Sequence, residues 1–599
     1  MRITALMVGF VFLVNIVKGS HQILDSLIFA IAIAVGLTPE LLPVIMTVTL
    51  SKGSLRMAKK HAVVRTLPAI QNLGAMTILA TDKTGTLTED HITLVSCVDV
   101  AGNDSDAVFS HAYLSSIFHT QRTSPLDTAI RAFRSLDTSE YKKVDEVPFD
   151  FSRKRDSIVY DHKSTRYLVV KGAPEGMFPV CTLLEKNGET IPFSTTLREE
   201  ARTRYNALSA NGFRVLALAY KKIPQATQSE YTKEEECDLI FLGFSAFMDP
   251  PKESAKEALR SLAELGVSVK IITGDSEVLT ERICRDIGLP IEGVLSGEQI
   301  AHMSDTQLAT LAPHTTVFAR VPPDGKERVV RALRAQGAVV GYLGDGINDA
   351  PALKMADVGI SVNNAVDVAK ETADVILLTK GLDILADGIR EGRITFQNTM
   401  KYVRMAFSSN FGNMASMSVA SAALPFLPMS PAQILLNNFL YDLSQTSLPS
   451  DRVDADDLKK PLSWNMKDIR HYMITFGLVS SLFDCATFFL LFKVFGLTDG
   501  AFQTGWFIES IATQILVVFI IRTKKFPLFA QAPSRGVLAT TFGIIVIASL
   551  IPFTFLGAHL GFIPLTTHTM LAIVAIVACY LVVAEVTKYL FYKSERATK

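Results

Sequence analysis

The chain has 599 residues, 49% of them hydrophobic and 20% charged, with 59 Lys and Arg against 59 Asp and Glu. That length calls for several domains, the mixture of apolar and charged stretches for membrane and soluble parts in one chain, and the zero net charge leaves no footprint for nucleic acid. The six cysteines, Cys97, Cys181, Cys237, Cys284, Cys485 and Cys579, lie far apart with no C-x-x-C pair, which excludes a disulfide framework or a zinc site and fits a reducing, cytosolic side.

The chain opens on two apolar runs, 3–17 and 23–50. No small-residue cleavage site follows Asn15-Ile16-Val17-Lys18, and a second run comes at once, so the pair predicts a transmembrane hairpin rather than a signal peptide. The second run carries Pro39 and Pro43, four apart. Each lacks an N–H and should leave the carbonyl four residues earlier, Val35 or Pro39, without its usual partner. Bare carbonyls and half-helix ends of this sort coordinate cations in transporters, and Glu40 adds a carboxylate inside the span. Residues 1–50 are therefore expected to be a transmembrane hairpin with a cation-site helix. Arg56, Lys59, Lys60 and Arg65 place the next region in the cytoplasm.

From 51 to 388 the composition is that of a soluble region. The run Thr77-Ile78-Leu79-Ala80 reads as a buried strand and leads into Thr81-Asp82-Lys83-Thr84-Gly85-Thr86-Leu87-Thr88. An aspartate at the C-terminal end of a parallel strand sits where open α/β sheets place reacting groups. Its carboxylate can take a phosphoryl group as a covalent intermediate, and Lys83 with the Thr/Gly turn offers charge and donors to phosphate oxygens. Further strands are expected at 267–272, 338–343, 358–360 and 375–378, with helices at 254–265 and 326–335 between them, the alternation of a doubly wound parallel sheet. Thr273-Gly274-Asp275 and Gly344-Asp345-Gly346-Ile347-Asn348-Asp349 end two of these strands, so their acids should converge on Asp82 and hold Mg²⁺ against phosphate oxygens. Lys326 is placed to neutralise a transferring phosphoryl group. The sheet occupies 51–92 and 246–388, interrupted by an α+β insertion, 93–245, with more antiparallel pieces. In the insertion, Phe149-Asp150-Phe151-Ser152-Arg153-Lys154-Arg155 sets an aromatic face beside basic groups, suiting a stacked adenine. Lys171-Gly172-Ala173-Pro174-Glu175 follows a strand, where the glycine would let a ligand approach the backbone, and Phe213-Arg214 is a third signal.

From 389 to 599 the chain returns to the membrane as six helices. Apolar runs centre near 412, 438, 482, 513, 547 and 579, each read as long enough to cross about 30 Å of hydrocarbon, which with the opening pair makes about eight spans. Lys and Arg gather on one side of them, consistent with cytoplasmic termini. Asn410 and Asn413 share a helix face, as do Asn438 and Asp442. With Glu40 they would make an all-oxygen site of about two negative charges, suited to a hard divalent cation; the asparagines could equally be interhelical glue. Asp484, Glu509 and Glu585 receive no role.

The octapeptide around Asp82, the Thr273-Gly274-Asp275 and Gly344–Asp349 motifs and Lys326, in this order, resemble the haloacid-dehalogenase-like phosphorylation domain of P-type ATPases. The resemblance covers essentially the whole chain. It implies Asp82 as nucleophile, the Thr84 backbone carbonyl and Asp345 as Mg²⁺ ligands, and Lys326 as charge stabiliser, with Asp349, Asn348, Thr273 and Asp275 supporting metal, phosphate and ATP. It also implies that Phe151, Lys171 and Arg214 contact ATP in a nucleotide-binding domain. Gly36–Pro43, Ala69–Met76, Ser408–Asn413, Asn438–Asp442 and Ile520–Thr523 look most like the magnesium-importing branch, which implies Mg²⁺ uptake across a bacterial inner membrane. Family members carry two further spans and an actuator domain with a Thr-Gly-Glu loop ahead of the pair that opens this chain; the sequence therefore reads as the C-terminal portion of a pump, with a missing N-terminal portion as its partner. Other readings stay open: a Ca²⁺ pump, a membrane-anchored phosphatase of the same superfamily, or a nucleotide-binding membrane protein that does not transport. The Phe151, Lys171 and Arg214 set speaks against the phosphatase, which needs no adenine site.

Overall fold

A computed structural model describes residues 2–17, 23–36, 41–83, 86–89, 91–120, 124–150, 153–224, 230–379, 381–526 and 531–598. One sheet has eight strands in the order Ala62–Val64, Val375–Leu377, Val358–Val362, Val340–Leu343, Ile78–Thr81, Ser268–Ile272, Val317–Ala319, Val294–Ser296. All neighbours are parallel except the edge strand Ala62–Val64. Ile78–Thr81 lies inside it with all four residues buried, as a strand covered on both faces requires. Later strands add on one side of it as Ser268–Ile272 and Val317–Ala319, and on the other as Val340–Leu343, Val358–Val362 and Val375–Leu377. The connections thus diverge at its C-terminal end, the place where such sheets leave a crevice. The covering helices are amphipathic: Glu253–Glu264 buries Ala255, Ala258, Leu259 and Leu262, the three-and-four spacing of one face. Ala62–Val64, Val294–Ser296 and Val317–Ala319 add to the strands expected from sequence. At three residues each, they are too short to show a period.

The second sheet runs Tyr141–Asp150, Arg155–His162, Thr165–Gly172, Arg214–Ile223, Leu239–Met248, Cys181–Lys186, Glu189–Pro192, with Thr93–Val98 also against Leu239–Met248. Its pairings are antiparallel except that of Leu239–Met248 with Cys181–Lys186. Alternation along Arg155–His162 sends Ile158 and Tyr160 into one core and Val159 into another, the period of two that a sheet packed on both faces imposes. The chain leaves for this sheet and returns from it through two bonded crossings. Glu89 N–H donates to Pro250 O and Lys252 N–H to Leu87 O, both at 2.9 Å, and Thr88 Oγ1 donates to Asp249 Oδ2 at 2.5 Å.

Leu382–Ala423 is a single helix of 42 residues, about 63 Å long. Its first turns pack on Glu253–Glu264 and Ala69–Ala75, and it also packs against Met466–Phe489 and Arg2–Val17. The approach to Ala69–Ala75 needs glycine on both sides, because a Cβ on Gly74 would lie 2.8 Å from the Gly392 carbonyl carbon. Four helices among the described residues, Met466–Val494, Asp499–Ile521, Arg535–Phe553 and Thr567–Ser594, are long and apolar enough to cross a membrane. Pro431–Gln445, read from sequence as another span, has 15 residues, about 22 Å against a core of about 30 Å. Between the helices, buried Asp451 accepts from Lys401 Nζ at 2.8 Å, Arg522 Nε at 3.0 Å and Ser534 N–H at 3.1 Å. Two cations and a backbone donor on one carboxylate meet the condition for burying a charge.

Candidate phosphorylation, nucleotide and cation sites

Asp82 follows the central strand, its N–H donating to Leu343 O at 3.2 Å. Oδ1 accepts from Lys83 N–H at 2.6 Å and Oδ2 from Lys326 Nζ at 2.7 Å. Lys326 sits in the first turn of Pro323–Ala335 and is 5% exposed. Its Nζ also donates to Asp349 Oδ1 at 2.8 Å. Asp349 takes two further donors, the Tyr342 hydroxyl on Oδ1 at 2.7 Å and Gly346 N–H on Oδ2 at 3.0 Å. Asp349, expected among the metal-supporting residues, accepts from these internal donors and holds the lysine. Burial pushes the Asp82 carboxyl above its ordinary pKa, Lys326 pulls it back, and Asp349 adds to the rise. Burial opposes the Lys326 charge, but Asp82 and Asp349 together outweigh it and its pKa stands above that of an ordinary lysine.

Lys83 is paired with Asp275, and Asp275 N–H donates to Thr273 Oγ1 at 3.2 Å. Thr273 is buried at the end of its strand and Asn348 is exposed on the turn before Asp349. Asp345 is half-buried at the end of Val340–Leu343, the strand beside that of Asp82. Thr84 lies outside the described residues. Among the described residues no three His, Cys, Asp or Glu converge into a protein-only metal cage. Mg²⁺ does not need one, since one or two carboxylates usually hold it with phosphate oxygens completing the shell. Asp82 and Asp345, hard oxygen donors at neighbouring strand ends, fit that pattern.

In the second sheet, a cavity of about 870 Å³ is lined by His119, Asp127, Phe149, Lys154, Lys171, Gly172 and Arg214 among others. A second, of about 580 Å³, shares Pro125 and Arg214 with it and reaches Lys83 and Asp275. Lys171 and Arg214 therefore line one space, and Arg214 also lines the second cavity, which reaches Lys83 and Asp275. Phe151 lies outside the described residues. Lys171 arrives already compensated: its Nζ donates to Asp127 Oδ1 at 2.5 Å and lies 3.8 Å from Asp156. Burial opposes ionisation of Asp127, but Lys171 and Ser124 bring its pKa below the ordinary value. Sequence reasoning missed Asp127, although Ser124-Pro125-Leu126-Asp127 forms a capping box with a recognisable sequence pattern. Gly172 also packs closely, since a Cβ there would lie 2.5 Å from both Lys154 O and Arg155 Cβ. Glu236, also missed, is buried, pairs with Arg153 and accepts from Arg155 Nε at 2.7 Å and Ser157 Oγ at 3.0 Å.

In the helical part, one described helix ends at Gly36 and the next begins at Leu42 with Pro43 in its first turn. Val35 is in the first of these, and Glu40 lies outside the described residues. Asn410, Asn413, Asn438 and Asp442 are all half-buried. Asn413 Oδ1 accepts from Gln514 Nε2 at 3.0 Å, which also donates to Ser510 Oγ at 2.5 Å, and Asn437 Nδ2 donates to the same hydroxyl at 3.4 Å. The two asparagine-bearing helices are thus bridged through Ser510 and Gln514, and the asparagine in the bridge is Asn437. The sequence pairing of Asn438 with Asp442 did not point to it.

Residues 120–254 match the family model for the P-type ATPase cytoplasmic domain N, and 426–590 that for the cation transporting ATPase C-terminus. The chain is similar to the "Magnesium-transporting ATPase, P-type 1" of Escherichia coli K12, 44% identical over 94% of this chain and 64% of that protein. A Salmonella typhimurium protein of the same name is 43% identical over the same shares. The "Calcium-transporting ATPase 1" of Lactococcus lactis is 32% identical over 73% of this chain and 53% of that one. The chain spans about two thirds of the length of the first of these relatives. An aspartate held by a buried lysine at the sheet's switch point, a cavity reaching toward it, apolar helices beyond, and matches at both the inserted and C-terminal regions agree: the chain belongs to the P-type ATPase family.

Proposed function

We propose that this chain carries the phosphorylating, nucleotide-binding and membrane parts of an ATP-driven pump that imports Mg²⁺ through an aspartyl-phosphate on Asp82. The observation that carries the reading is the Lys326 bridge, at 2.7 Å to Asp82 and 2.8 Å to Asp349. It leaves a carboxylate at the crevice with a fixed cation beside it. An Asp82 oxygen attacks the γ-phosphorus of ATP, the bond to the β-phosphate oxygen breaks, and ADP leaves with that electron pair. Lys326 meets the charge on the transferring oxygens without reorganising. Mg²⁺ on Asp82, Asp345 and the Thr84 carbonyl would neutralise phosphate charge and orient the transfer. Lys171 and Arg214, with Phe151, would hold the nucleotide, and Asp275, Thr273 and Asn348 would support the phosphate end.

On this reading 51–92 with 246–388 is a haloacid-dehalogenase-like phosphorylation domain, 93–245 the nucleotide-binding domain, and 1–50 with 389–599 an eight-span membrane domain in a bacterial inner membrane. Val35, Glu40, Asn410, Asn413, Asn438 and Asp442 would form the transported-ion site. Magnesium is preferred over calcium because identity to the magnesium-transporting relatives is 44% and to the calcium-transporting one 32%. Labelling of purified chain by γ-phosphate tests the central step with the parts present here. An acid-stable, hydroxylamine-sensitive phosphoenzyme that disappears in Asp82→Asn is expected; retained labelling in that variant overturns the assignment. Uptake of Mg²⁺ against Ca²⁺ into vesicles, with the remaining portion of a pump supplied, separates the two cargoes.

A further inference from the structure

Met466–Phe489 buries one acid in its C-terminal half and Asp499–Leu516 one near mid-length: Asp484 is 2% exposed and Glu509 0%. Trp506 Nε1 donates to Asp484 Oδ1 at 2.8 Å and Ser416 Oγ to Oδ2 at 2.6 Å, with Ser481 Oγ 3.0 Å from Ser416 Oγ. Both Asp484 oxygens are therefore met by neutral donors. Glu509 is different. Its carboxyl lies against that of Asp484, yet neither of its oxygens has a donor among the described residues. The other titratable groups facing the pair are Cys485 on the Asp484 helix and Tyr580 on Thr567–Thr598, and Leu382–Ala423 presents the Ser416 hydroxyl. Neither acid forms an ion pair with a Lys, Arg or His among the described residues.

Two ionised carboxyls in contact, away from water and without a cation, are mutually repelling and doubly desolvated. One proton removes both costs, because it lets Glu509 donate to Asp484 and reduces two charges to one. A metal ion suits the place less well. Hard cations take six or more oxygens, Trp506 offers only an N–H, and no third acid converges among the described residues.

We infer that Asp484 and Glu509 form a proton-binding site buried between these apolar helices, one proton being held between the two carboxyls. Neither acid belongs to the Glu40, Asn410, Asn413, Asn438 and Asp442 set. Ser416 ties it to the helix that carries Asn410 and Asn413, so a shift of that helix that withdraws the hydroxyl changes the hold on the proton. The inference rests on the reading of these helices as membrane spans, and not on Asp82 chemistry.

Infrared spectroscopy of the full chain in lipid nanodiscs at neutral pH tests it. A protonated-carboxyl stretch is expected that shifts when glutamate is carbon-13 labelled, disappears in Glu509→Gln, and is unchanged by added Mg²⁺. Absence of the band, or its persistence in Glu509→Gln, overturns the inference. So does its loss on Mg²⁺ addition with proton release to a pH dye, which would make the pair a metal site. Labelling the unsubstituted chain reads the same group if Glu509→Gln fails to fold. Release of the chain from membranes without detergent would instead sink the membrane reading, whatever the spectrum shows.

Discussion

The Tyr342 hydroxyl donates to Asp349 Oδ1 at 2.7 Å, the same oxygen that accepts from Lys326. Tyr342 is fully buried in the strand beside that of Asp82, so this hydroxyl fixes Asp349, which in turn aims the lysine. Tyr342→Phe keeps the ring and removes the bond. Hydrogen bonds to charged groups are worth about 1.5–3 kcal/mol, so heat unfolding of the chain should occur at lower temperature. Phosphoenzyme formation should slow by about tenfold, about 1.4 kcal/mol of lost positioning. Unchanged labelling would remove Tyr342 from the positioning chain.

Lys326→Met should slow γ-phosphate labelling by about 10²–10³-fold, the usual cost of one preorganised donor at developing charge. The pH profile carries a sharper signature. Asp82 must be ionised to attack, and its pKa already stands above the ordinary value through burial. Labelling is therefore lost as pH falls through that raised pKa. Without Lys326 only the Lys83 N–H is left to offset burial and Asp349, so the acid limb should move to higher pH. An unmoved limb means that the residual reaction is not limited by Asp82 ionisation.

Two glycine substitutions should separate nucleotide binding from phosphoryl transfer. A Cβ at Gly344 would lie 2.6 Å from Asp349 Cβ and 2.7 Å from its Cγ, displacing the carboxylate that holds Lys326. Gly344→Ala is expected to bind trinitrophenyl-ATP normally and to label poorly. Gly172→Ala would press on the Lys154–Arg155 backbone under the nucleotide cavity. Weakened binding of the fluorescent nucleotide is expected there, and normal titration curves in Gly172→Ala would contradict this account of the cavity floor.

Glu236 has a fully buried side chain between Arg153 and Arg155. Glu236→Gln leaves the Arg155 guanidinium without its charge partner and Arg153 with only Asp150 at 3.6 Å, and breaking a buried pair typically costs about 3–5 kcal/mol. Chemical denaturation should report a loss of that size, and nucleotide binding should weaken with it because Lys154, between the two arginines, lines the cavity. A loss below about 1 kcal/mol would mean that water replaces the pair.

Legibility tracked the range of the interaction. The strand carrying Asp82, the motifs at Asp275 and Asp345, and the helix carrying Lys326 could be read from runs of apolar residues broken by Gly and Asp, which are local signals. Glu236 could not, because nothing near Lys233-Glu234-Glu235-Glu236 sets one acid apart from the others; burial of Glu236 depends on strands 79 to 83 residues earlier folding over it. Asn437 could not be told from Asn438 for a similar reason, since only the neighbouring helix, with Ser510, determines which of two adjacent amides turns inward.

Side-chain type and short segments set the chemistry available: a carboxylate at a strand end, lysines and further acids in order behind it, and long apolar runs. The tertiary structure alone decided which charges meet. Lys83 goes to Asp275, Lys326 bridges Asp82 and Asp349 across 244 and 23 residues, and Asp484 faces Glu509. Those pairings follow from the order of parallel strands and the packing of helices, in which register brings distant residues within hydrogen-bonding distance, and no local pattern encodes it.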